Sequence, residues 1–154
     1  MSLGARMNRI TLAIALTLAA PSAAALLTAC HSAADAHDRC ARCGMKIAPT
    51  NLLAAELQGS NAKALHYDSL RCALAARLEG HPRATLRVHE YYEGRLHVVD
   101  DTIGFAIGSD VTGPMGSDLV PVATPHQAKF AADHGAKRFV LLREIDTALL
   151  AQLP

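Results

Sequence analysis

Methionine and cysteine are scarce in this chain, four of each among 154 residues. After Met7 only Met45 and Met115 remain, and no acidic residue occurs before Asp35. There is no Gly-rich phosphate loop, no nucleophile elbow and no pair of carboxylates at a spacing suited to acid–base work. Ser69 and Ser117 lack an identifiable base partner. The familiar enzyme constellations are therefore without support. The formal net charge is +1 with no clustered basic face, which argues against nucleic acid as a partner.

What is present begins at the N-terminus. Arg6 and Arg9 precede an almost wholly apolar run from Ile10 to Leu27, ending in Leu27-Thr28-Ala29-Cys30. A basic region, an apolar region and small residues at the cut are the layout of a secretory signal. Cys30 stands where a bacterial lipoprotein is cleaved and acylated. A retained span of about 18–20 residues is weakened by Pro21 and the many alanines, and a cut before His31 or Ser32 is the other alternative. The expected division is a signal over 1–29, a lipidated tether over 30–38 and a folded domain over 39–154, with approximate halves 39–92 and 93–154. Removing 1–29 takes away two arginines and no acid, moving the formal charge from +1 to −1. The expected place is the cell envelope, facing the periplasm. His31, rather than Asp, after the acylated cysteine leans toward the outer membrane. With Cys30 consumed, Cys40, Cys43 and Cys72 remain, an odd number that points to a reactive or metal-binding thiol.

The patterning predicts a strand over 52–58, a turn at Gly59-Ser60-Asn61 and a returning strand over 62–67. Asp68 or Ser69 then caps a helix from Leu70 to Leu78. Leu70, Leu74 and Leu78 form its buried stripe, with Cys72 on another face. A hairpin follows, 84–92 with 95–99 around Glu93-Gly94, with Leu86 and Val88 on one face. Further on, 105–107 is extended and Gly108 to Gly116 is Gly/Pro-rich. Thr124-Pro125 opens a helix that ends at Gly135, and 138–145 closes as a strand. The order strand, strand, helix, strand occurs twice and predicts an α+β domain with helices packed on antiparallel sheet.

The chemistry concentrates in Cys40-Ala41-Arg42-Cys43-Gly44-Met45. Cu(I) prefers thiolate and thioether donors, and zinc sites use Cys, His and carboxylate rather than Met. Gly44 permits backbone angles that let Cys43 and Met45 turn toward one ion. Met115, between Pro114 and Gly116, is poorly placed for a core. Competing readings of the CxxC stay open: a Cys40–Cys43 disulfide, or zinc completed by Cys72 and His66. A thioredoxin-type pair needs a following helix, which Pro49, Thr50 and Asn51 do not favour; a c-type haem needs His where Gly44 stands. His66 is a candidate nitrogen ligand, with Asp68 a helix cap or a support to the site. His37 is close to the motif. His89 and His97 can face each other across a hairpin, while His126 and His134 flank the second helix as solvated residues.

These motifs, with His66-Tyr67-Asp68-Ser69-Leu70 and Gly113-Pro114-Met115-Gly116, resemble the NosL family of nitrous oxide reductase accessory lipoproteins over roughly 30–145. The resemblance implies a Cu(I) chaperone that is not an enzyme. It would supply copper for nitrous oxide reductase maturation, alongside a membrane ABC-type assembly complex. It implies a fold of paired ββαβ units related to part of the organomercurial lyase. Cu(I) ligation is carried onto Cys43, Met45 and Met115; Cys40 matches the first cysteine of the motif, with its role open. Cys72 departs from the family pattern. The alternative function is an exported thiol–disulfide protein using Cys40 and Cys43.

Overall fold

The computed structural model describes residues 38–60 and 63–153. The signal segment, Cys30 and the tether before Asp38 fall outside the described residues. Among the described residues no helix is long and apolar enough to cross a membrane.

The first unit runs β1 (Ala55–Gln58), β2 (Leu65–Tyr67), α1 (Leu70–Gly80) and β3 (Thr85–His89), with β4 (Leu96–Val98) added as a hairpin partner. The four strands form one antiparallel sheet in the order β2-β1-β3-β4. Alternation along β1 and β3 sends Ala55, Leu57, Leu86 and Val88 inward. Helix α1 has no β-branched residue and buries Leu70, Ala73 and Leu74 against this face. Each buried leucine contributes on the order of 1.5–3 kcal/mol. Leu78, the third expected member of the stripe, is only half-buried.

The second unit repeats the topology with different residues. β5 (Ile103–Ile107) lies between β8 (Val120–Ala123) and β9 (Arg138–Val140), again antiparallel throughout. In both units the first strand is central and flanked by the second and third. Between β5 and β8 a small hairpin, β6 (Thr112–Gly113) and β7 (Gly116–Ser117), carries Met115 at its exposed tip. α2 (Gln127–His134) ends at Gly135, whose φ of 66° is the left-handed conformation of a helix stop. Ile103 and Phe105 of β5 enter the core shared with α1, and Ala106 enters a second cluster around Phe130 of α2.

Several elements differ from the expectation. β8 is a strand despite Pro121; it is the sheet edge, where a missing N–H interrupts no ladder. Thr124 does not cap α2: its hydroxyl donates to the Thr102 carbonyl, and a 3-10 turn over Thr124–His126 precedes the helix. The closing strand stops at Val140, and α3 (Thr147–Gln152) follows, capped by Asp146, whose carboxylate accepts the Leu149 N–H. His97 pairs with Val88 and His89 with Leu96, so the two histidines are not opposite each other. His126 and His134 are each held to a carboxylate, Glu90 and Asp110.

One carboxylate joins the units. Glu90, fully buried just after β3, accepts the Tyr92 and Glu93 N–H groups on one oxygen. On the other it takes the Ala123 N–H of β8 and the His126 ring. Burial pushes this acid up, but the four hydrogen bonds outweigh burial and hold it below the usual glutamate range. Truncation would leave buried donors unpaired. Glu90→Gln is expected to lower stability by about 2–4 kcal/mol in a urea melt. A loss of less than about 0.5 kcal/mol would show that the carboxylate is not what joins the two sheets.

Candidate metal site

The Cys-Gly-Met segment is a tight hairpin. Ile47 N–H donates to the Asp38 carbonyl, Cys40 N–H to Met45, and Gly44 N–H to Cys40, at 2.7, 2.8 and 2.9 Å. Gly44 sits at φ 76°, where a side chain would be strained. Ala41 N–H donates to the His66 carbonyl at 2.8 Å and docks the loop on β2. The loop therefore lies against the end of β2 that leads into α1.

The first turn of α1 supplies the facing wall. Its orphan N–H groups find two different acceptors. Ser69 Oγ accepts the Cys72 N–H at 3.2 Å, and Asp118 Oδ1 accepts the Arg71 N–H at 3.0 Å. Ser69, not Asp68, is thus the cap from its own chain segment. Asp68 turns instead toward the loop, where its Oδ2 accepts the Cys43 thiol at 3.5 Å. Its Oδ1 is buried without a hydrogen-bond partner.

Loop and helix together bring Cys40, Cys43, Cys72 and Asp68 into one cluster, with one ligand atom from each within 4.8 Å of the others. All three cysteines are free. Cys40 and Cys72 are 3% and 5% exposed, whereas Cys43 is exposed. Burial pushes the Cys43 thiol up, offset in part by the Met45 N–H that points at its sulfur. Burial pushes the Cys72 thiol up to about 12, against the Ser69 hydroxyl, which lowers it. Three soft donors beside a carboxylate suit a thiophilic ion, whose positive charge compensates the cost of ionising buried thiols.

The other expected site residues divide. Met45 is half-buried in the turn that holds Cys43. Met115 stands on a hairpin fastened to the same end of α1, because Arg71 Nη2 donates to the Ser117 carbonyl at 2.9 Å. The fastening is close: a methyl on Gly113 would lie 2.8 Å from Asp118 Oδ2. The His66 ring is outside the cluster. Strand alternation buries Tyr67 on one face and sends His66 to the other, 3.6 Å from Glu56, in a cavity of about 260 Å³ shared with Asp38 and His89.

Asp118 is the participant that the sequence does not single out, whereas Cys72, a candidate only in the zinc reading and expected on another face of α1, is buried in the same core cluster as Leu70 and Leu74. Cys72 falls three residues after the cap Ser69, so it projects from the capped end beside the loop. Asp118 comes from a distant segment, and no local signal marks it. A second grouping among the described residues, Glu90, Glu93 and His126, is already filled by the hydrogen bonds that join the sheets.

Fold and site together define an α+β domain built around a cluster of soft donors. A family model described as NosL matches residues 31–150, and the chain belongs to the NosL family. No curated protein matches the chain. Among solved structures it is similar to the crystal structure of the copper chaperone NosL from Shewanella denitrificans. That match has a TM-score of 0.62 at 22% identity, over 76% of this chain and 96% of that one. It supports the fold.

Asp118 gives a pH signature. Burial pushes its carboxyl up to about 6, against the lowering by the Leu119 and Arg71 N–H groups. A folded pKa above the unfolded value of 3.8 means that the protonated form stabilises the fold. Metal-free protein should therefore lose stability as pH rises through 6, by roughly 3 kcal/mol at full ionisation. Thermal melts from pH 4.5 to 8 should show this fall, and Asp118→Asn should flatten it. Equal slopes in the two proteins would assign the pH dependence elsewhere.

Proposed function

We propose that the chain is a copper chaperone of the cell envelope, anchored by an acylated Cys30, that carries Cu(I) for the maturation of nitrous oxide reductase. Cys43 is the exposed thiol donor in this reading and Met45 the half-buried thioether next to it, with Cys40 beside them and the exposed Met115 approaching from its hairpin. A membrane ABC-type assembly complex is the partner, and the role is carriage rather than catalysis. Outer-membrane sorting follows from His31 after the acylated cysteine.

The observation that carries the reading is the placement of one exposed thiol, Cys43, at the mouth of a buried sulfur cluster. A carrier must bind its cargo tightly and still present it to an acceptor. An exposed thiolate admits an incoming ligand, and a thioether is a weaker, neutral donor that leaves readily. Family membership supports copper as the cargo, and so does the similar structure described as a copper chaperone. The thiol–disulfide alternative calls for a depressed Cys43 pKa and a helix opening at the CxxC. Here the thiol is pushed up and the motif lies in a hairpin.

Anaerobic titration of the full chain against a chromogenic Cu(I) chelator should show one equivalent bound. Cys43→Ser should abolish tight binding, and Met45→Leu should weaken it about tenfold, or about 1.4 kcal/mol. The double variant binding Cu(I) like the parent would refute the assignment. For the client, cells lacking the protein should make copper-poor nitrous oxide reductase; fully loaded enzyme would point to another copper pathway.

A further inference from the structure

Cys72 has no role in the family pattern, yet its position is not that of an ordinary core thiol. It lies in the first turn of α1, its N–H bound by the cap Ser69. Its sulfur is within 4.8 Å of the chosen ligand atoms of Cys40, Cys43 and Asp68. Three sulfurs each about 2.3 Å from a central ion, the length of a metal–thiolate bond, would stand about 4.0 Å apart in a trigonal site. A spread of no more than 4.8 Å accommodates that value. The fully buried Asp68, with Oδ1 lacking a hydrogen-bond partner and Oδ2 on Cys43, supplies a second sign that the cluster is incomplete without a cation.

We infer that Cys72 is the third thiolate of the site, so that the ion is retained by two buried sulfurs, Cys40 and Cys72, and reached through one exposed sulfur, Cys43. Burial sets the order of exchange. An acceptor's ligand meets Cys43 first, while the inner pair holds the ion until a replacement bond forms. This inference rests on the copper-carrier reading.

The test is X-ray absorption of the Cu(I)-loaded full chain grown with selenomethionine, so that thioether donors register as selenium and only thiolates as sulfur. Three sulfur neighbours are expected in the parent and two in Cys72→Ser. Transfer of Cu(I) to a chelator should be about tenfold faster in that variant. Cys72→Ala, checked by circular dichroism and a thermal melt, should behave alike. The parent's sulfur count stands even if both variants fold poorly. Two sulfurs in the parent, or an unchanged count in a folded Cys72 variant, would overturn the third ligand and leave the carrier reading intact. Failure of the parent to bind one equivalent of Cu(I) would overturn both.

Discussion

The first turn of α1 is the constraint on which the rest of the site depends. A helix that begins inside a protein must satisfy its orphan N–H groups, and here the acceptors come from two places in the chain, Ser69 and Asp118. Satisfying them fixes Cys72 and orients Asp68. It also draws in the segment that carries Met115, since Arg71 holds Ser117 and Asp118 at once. Asp68 and Asp118 are both buried at this end. Burial pushes the Asp118 carboxyl up to about 6, and the nearby Asp68 adds to the rise, so the pair is accommodated with Asp118 protonated at low pH.

The cluster is assembled from two sides, and each is anchored to the first sheet. The loop with Cys40 and Cys43 hangs on β2 through Ala41 and His66, and α1 packs over β1 and β2. Glu90 fixes that sheet to the second. The graded burial of those sulfurs is what makes the arrangement suited to carriage: retention inside, exchange at the surface. We regard that gradient, more than the CxxC spacing, as the functional feature.

Much of this was legible in the sequence, for identifiable reasons. Alternation placed Leu86 and Val88, helix formers and leucine spacing placed α1, and Gly44 and Gly135 marked two of the five glycines at positive φ among the described residues. The paired ββαβ order was readable, although β8 was hidden by Pro121, which only an edge strand accepts. The apolar run after Arg138 has the pattern of one strand but forms a short strand, a turn and a capped helix, because local hydropathy does not report where a strand loses its partner. At the site, Cys40, Cys43 and Asp68, which local motifs single out as candidates, lie in one cluster. His66 was drawn in by proximity in sequence, and strand alternation turned its ring away. Cys72 and Asp118 depend on contacts between segments far apart in the chain, which periodicity cannot report.

The most direct measurement is a crystal structure of the full chain loaded with Cu(I), with the ion located by its anomalous scattering. One peak is expected at the mouth of α1, bonded to Cys43 at about 2.3 Å and bordered by Cys40 and Cys72. Copper bound only at Glu90 and His126, or at Met115 with no bond to Cys43, would contradict it.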